Sequence, residues 1–304
     1  MHTRTRAVLA CAAACFAFSL TRAATAHGIV GDRFFPPTIA TDDPFAVDEL
    51  ALPTLSWVKN AAQGSSPAFH EFDAGFEFDK EIFPYFAVGI SDTYIYQDPD
   101  QGPVSQGFGN LTLTAKYELW HNDEREAIAS VGLQASVGNT GARGLSDTFS
   151  TVGPRFFVGK GMGDLPDSVA GLQPFAVTGA FTQNFPVSGN AANTFEWGFA
   201  VEYSLPYLQQ HVKDIGLPEP FKNMIPLVEF AMSTDENRDQ RGLTSGTVNP
   251  GVLYESNYFQ LGAEANIPVN GRSGAHVGVT LQMWIYIDGI WPHAFGHPLF
   301  GERS

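Results

Sequence analysis

NLTLTAKYEL, residues 110–119, decides the fold. Leu111, Leu113, Ala115, Tyr117 and Leu119 take every second position. Asn110, Thr112, Thr114, Lys116 and Glu118 take the others. Successive side chains of a strand point to opposite faces, so this stretch reads as a ribbon with one uncharged apolar face and one polar face. The same alternation recurs on both sides of it. Phe72, Ala74, Phe76 and Phe78 alternate with Glu71, Asp73, Gly75 and Glu77. Ala129, Val131, Leu133 and Ala135 alternate with Ser130, Gly132, Gln134 and Ser136. Phe195, Trp197, Phe199 and Val201 alternate with Glu196, Gly198, Ala200 and Glu202, and Val279, Leu281 and Met283 alternate with Thr280, Gln282 and Trp284.

These runs are about ten residues or longer, whereas strands of soluble proteins average about five or six. Strands of about 9–11 residues suit a tilted bilayer crossing. Twelve such segments are expected, near 51–60, 68–79, 83–96, 107–120, 126–138, 147–160, 171–184, 193–205, 224–235, 245–255, 257–268 and 274–288. Pro53 and short length weaken the first, and ten strands, the next even number, is the fallback. The expected class is all-β, a transmembrane antiparallel up-and-down barrel with both termini periplasmic. A β-sandwich is the soluble alternative. Gly-, Asp-, Asn- and Ser-rich stretches near 97–106, 139–146, 185–192 and 236–244 read as extracellular loops. HNDERE (121–126) and ESN (255–257) read as periplasmic turns. Two longer periplasmic connections, near 161–171 and 206–223, depart from the usual short turn. Tyr94, Tyr96, Trp120, Tyr203, Tyr207, Tyr258, Tyr286 and Trp291 are placed at interfacial girdles.

The flanks divide the rest. Arg4 and Arg6 precede the apolar run AVLACAAACFAFSL (7–20), and Ala24-Thr25-Ala26 offers a small-residue cleavage site, so 1–26 reads as a signal peptide. Residues 27–50 contain GDRFFPPTIATDDPFAVDEL, with no clean period, and read as an extended arm or lumen plug. The barrel is expected over 51–288 and a periplasmic tail over 289–304. Cys11 and Cys15 both fall in the signal, which leaves disulfides out of the stability argument. The sequence holds 17 Lys and Arg against 32 Asp and Glu, a formal charge of −15. Nucleic acid is a poor partner for such a chain; outer-membrane lipid and small-molecule cargo are the expected partners.

The DDPFAVDEL arm, the GDLPDS connection, the YSLPYL turn and the closing LQMWIYIDG strand resemble proteobacterial and acidobacterial outer-membrane proteins described as transporters of the phenol-degradation meta-pathway type. The resemblance implies a barrel fold, an outer-membrane location in a Gram-negative bacterium and apolar or aromatic cargo. The chain departs from many such barrels in continuing past its last strand with GIWPHAFGHPLFGERS, which places any assembly signal near Trp284 to Ile287.

No GxSxG, HExxH, CxxC or P-loop is present, and no cofactor is expected. The glycines of GKGMGDLPDS read as a turn. His70 and His276 lie near strands without a serine placed beside them, so an enzyme is not expected. His27 as a free N-terminus, and His293 with His297, are minor metal candidates; Pro292 and Pro298 flank the latter pair.

The inward face carries more information. Glu71, Asp73, Glu77, Glu118, Glu196, Glu202, Glu229 and Glu264 take polar-face positions, with Lys116 and Arg155 the bases among them. Lys116, Glu118, Arg155, Glu196, Glu202 and Glu264 form the candidate pathway. Two readings stay open. An acidic pore would favour cations in a passive channel. A salt-bridged network would instead fill a closed, non-conducting barrel.

Overall fold

The computed structural model describes residues 28–62 and 66–303. Twelve long strands form the wall: β1 (Glu49–Asn60), β2 (Phe69–Phe83), β3 (Phe86–Pro99), β4 (Thr112–Asn122), β5 (Ala127–Ser136), β6 (Thr151–Gly161), β7 (Phe175–Pro186), β8 (Thr194–Tyr203), β9 (Met224–Asp235), β10 (Thr244–Glu255), β11 (Phe259–Pro268) and β12 (Gly278–Tyr286). Each pairs antiparallel with its sequence neighbours. β12 returns to β1 through Leu281↔Leu55 and Thr280↔Ser56, which closes the sheet and removes its edges. A short ribbon, Ser105–Phe108, folds back on the outer end of β3.

The expected weak first strand is real. Its register shifts between Ala51 and Thr54, where Pro53 sits. A bulge leaves a residue out of the ladder, so a proline without an N–H is accommodated there.

The distribution of polarity excludes the sandwich. Leu119, Leu133 and Leu281 are 59%, 56% and 54% exposed, while Glu229, Glu202 and Glu264 are 0%, 2% and 4% exposed. Apolar side chains cover the outside and carboxylates lie inside. That inversion suits a wall that faces lipid. Among the described residues no helix is long and apolar enough to cross a membrane.

Both termini of the barrel and the short turns at 84–85, 123–126 and 256–258 lie at one end, the periplasmic end by the usual rule. The girdle expectation needs correcting at two positions. Tyr286 and Tyr207 are buried, 2% and 8% exposed, and both face the inside of the molecule. Trp120, Tyr258 and Trp291 are exposed.

Candidate functional site: the lumen and the arm within it

Residues 28–48 enter the barrel from the periplasmic end, reach mid-height and turn back to begin β1. A two-residue hairpin, Ile29–Val30 against Arg33–Phe34, starts this arm. Arg33 is fully buried. Its Nε reaches Glu126 Oε2 at 3.2 Å, its Nη1 donates to the Pro174 carbonyl at 3.1 Å, and its guanidinium stacks 3.7 Å from the centre of the Tyr207 ring. The Tyr207 hydroxyl donates to Glu126 Oε1 at 2.9 Å. Burial, then the Glu126 carboxylate beside it, pushes this phenol up to about 12. The two long periplasmic connections thus serve to seat Arg33.

Above this seat the arm and wall share an apolar core. Val30, Phe35, Phe45 and Val47 pack on Ile128 and Ala176, while Phe34 fits between Trp284 and Ile225 and Ile39 packs on Leu253. The wall makes room with glycines. A Cβ at Gly262 would lie 2.6 Å from Ile39 Cδ1, and one at Gly198 would lie 2.4 Å from Thr41 Cγ2.

The tip is held by charge. Backbone N–H groups of Ile39, Ala40 and Thr41 donate to the Glu229 carboxylate at 2.7, 3.0 and 2.7 Å, and the Thr41 hydroxyl adds a fourth bond at 2.8 Å. Three consecutive amides pointing at one anion make a nest. Gln260 Nε2 donates to the Pro37 carbonyl at 2.7 Å. Asp42 binds Lys116 Nζ and Arg155 Nη1, each at 2.8 Å. Burial pushes the Asp42 carboxyl up, but the ammonium and guanidinium outweigh it and hold the group below its ordinary value.

The returning limb is pinned as well. Ser130 Oγ donates to the Pro44 carbonyl, and the Ala46 N–H donates to Glu118 Oε1 at 2.9 Å. Arg303 of the tail reaches Glu81 at 2.8 Å and Glu118 at 3.2 Å, and donates to the Ala46 carbonyl at 2.6 Å. Lys80 joins Asp48 at 2.7 Å and the tail carbonyls of Phe295 and His297.

The six expected pathway residues therefore separate. Lys116 and Arg155 hold the tip, and Glu118 holds the returning limb and the tail. Glu202 and Glu264 lie covered: the Glu202 carboxylate accepts no hydrogen bond from the described residues, and Glu264 sits beside Glu229 and Asn249. Glu196 faces open space in a cavity of about 310 Å³ above the tip, which Thr41, Asp42, Arg155, Thr182 and Ser233 also line. A second cavity of about 510 Å³ lies nearer the extracellular end, among Ser91, Asp92, Thr93, Asn110, Thr112 and Asp147. Sequence reasoning missed Asp42 and Gln260, and counted Glu229 as lining without seeing its role. His293 and His297 line a separate periplasmic cavity with Asp48, Glu81 and Asp288. Among the described residues no group of three or more His, Cys, Asp or Glu is placed to hold a metal ion.

The sequence matches no family model, and no curated protein matches it. Solved structures do match in shape. An outer membrane channel from Pseudomonas putida F1 superposes with a TM-score of 0.53 at 11% identity, over 83% of this chain and 99% of that one. The KdgM porin and the NanC porin give TM-scores of 0.46 each, at 7% and 8% identity, over 78% of this chain and 98% of each of theirs. At such identities the first likeness speaks to architecture alone, and it agrees with the wall described above: this chain is a closed twelve-stranded antiparallel barrel of the outer-membrane kind.

Proposed function

We propose that the chain is a passive channel in the outer membrane of a Gram-negative bacterium, admitting small polar solutes and favouring cations over anions. The observation that carries this reading is the lining above the arm. Hydroxyls, amides and carboxylates face the two cavities, and the wall's two mid-height bases are already paired with Asp42. Unpaired carboxylates in a narrow lumen make a negative field that raises the local concentration of cations. The resemblance to meta-pathway transporters implies apolar or aromatic cargo. Such cargo gains little from a lining of hydroxyls and carboxylates, which must surrender water without replacement hydrogen bonds, so polar cargo is the better fit.

A second reading has its own support. The arm reaches mid-barrel and is fastened at both ends, as a closed, non-conducting barrel would require. Planar-bilayer recording separates the two. The channel reading expects stepwise conductance with a reversal potential on the cation side under a salt gradient. Silent insertion of folded protein favours the closed barrel, and anion preference rejects the acidic pathway.

A further inference from the structure

Lys116, Gly132 and Arg155 stand in one row across the ladder: Lys116 pairs with Gly132 on β5, and Gly132 pairs with Arg155 on β6. A base, a residue without a side chain and a second base thus adjoin at mid-height. The Phe157 ring lies beneath both charges, 4.9 Å from Lys116 Nζ and 4.7 Å from the Arg155 guanidinium carbon. Left alone, this row would be a positive collar facing the lumen. Asp42 meets it with one carboxylate oxygen on each base. The group is not sealed off: the Asp42 side chain is 23% exposed, and Asp42 and Arg155 both line the cavity that Glu196 faces. Its carboxylate comes from the arm, not the wall.

We propose that Asp42 is the residue that sets the charge preference of the lumen, by offsetting one of the two positive charges of the row Lys116–Arg155 at the floor of the water-facing cavity. This rests on the channel reading above and names the group that would decide its selectivity. With Asp42 in place the row keeps a single net positive charge, which the acids Glu71, Asp73 and Glu196 outnumber. Neutralising Asp42 raises the charge of the row by one unit, from one net positive charge to two. A unit charge about 6 Å from a passing ion changes that ion's local concentration by roughly threefold in water, and oppositely for cation and anion.

The test is reversal potential in a KCl gradient for four proteins, each first shown to be folded by its mobility on an unboiled gel. They are the parent, Asp42→Asn, the double variant Lys116→Gln with Arg155→Gln, and the triple variant carrying all three changes. The cation-to-anion permeability ratio should fall by about threefold or more in Asp42→Asn and rise in the double variant. The triple variant, whose row is one charge less positive than the parent's and one more positive than the double variant's, should give a ratio between those two. If Asp42→Asn does not fold, the double and triple variants still decide, because only the double variant retains the Asp42 charge. Equal ratios in those two, or an unchanged ratio in Asp42→Asn, would overturn the role of Asp42 while the channel reading stands. A folded parent without conductance would overturn both.

Discussion

Glu229 is the residue on which the arm's tip depends. It is fully buried, yet its carboxylate accepts four short hydrogen bonds, three of them from consecutive backbone amides. Glu229→Gln would turn a donor-bearing amide toward those amides. Hydrogen bonds to a charged group contribute roughly 1.5–3 kcal/mol each. The substitution should therefore lower stability by about 2–4 kcal/mol, measured by thermal unfolding in detergent, and expose residues 28–48 to protease. Unchanged melting and unchanged proteolysis would remove Glu229 from this role. Asp43 gives the pH dependence. Burial pushes its carboxyl from 3.8 up to about 6. A group with a raised value stabilises the docked arm while it holds its proton, and that contribution is lost as pH rises from about 4 through about 6. Asp42 works with the opposite sign, so the Asp43 contribution is isolated by comparing the parent with Asp43→Asn. That variant still offers an acceptor to the Phe45 N–H, which now binds Asp43 Oδ1 at 2.7 Å. It should narrow the difference in melting temperature between about pH 4 and about pH 8. A difference equal to the parent's would show that Asp43 titrates normally.

The strands carry their own test, since each must satisfy lipid on one face and the lumen on the other. Leu113, Val131, Phe199 and Leu281 all point outward, and Phe199 stacks on Phe230 of β9 with ring centres 4.5 Å apart. Arginine at any of them that lies near the bilayer midplane should cost roughly 2–4 kcal/mol. Thr112, one residue before Leu113 on β4, faces the lumen cavity and should accept serine or asparagine at little cost. Guanidinium titration of the barrel refolded into vesicles would measure both, and equal penalties on the two faces would contradict the assigned alternation. Alternation also weakens where the arm packs. Ile128 lies between Ala127 and Ala129, and Ile225 and Leu227 lie among Pro226 and Val228, so the periplasmic ends of β5 and β9 are apolar on both faces. A strand end without a polar face is buried on both sides. That signal was present in the sequence as a sign that something apolar enters the barrel there.

At the scale of the whole molecule, a closed wall with its carboxylates inside and its leucines outside is stable only when lipid or detergent covers the leucines. The protein should fractionate with the outer membrane, require detergent for extraction and migrate faster on an unboiled gel than on a boiled one. Recovery as a soluble monomer without detergent would contradict the barrel. The arm adds a second layer of stability, because it turns the periplasmic half of the lumen into a conventional apolar core around Phe34, Phe35 and Phe45. Its two fastenings, Arg33 at one end and Arg303 across the other, come from opposite ends of the chain.

The sequence alone determined the wall. Each of the twelve expected segments overlaps an observed strand, because a period of two is a local property: neighbouring side chains must point to opposite faces wherever the strand finally sits. It also placed Lys116, Glu118, Arg155, Glu196, Glu202 and Glu264 on the inner face. It did not reveal which of them meet water. Glu196 and Glu202 lie six residues apart on β8 with the same orientation, yet one faces a cavity and the other is buried behind the arm. Residues 27–50 read equally well as a periplasmic arm or a plug, since an irregular segment has no period to betray its neighbours. Only the tertiary structure brought Asp42 against two bases 74 and 113 positions away in sequence and gave Glu229 its four donors. Those pairings depend on barrel closure and on the path of the arm. Charge attraction selects partners by distance in space, and spacing along the chain says nothing about that distance until the sheet has closed.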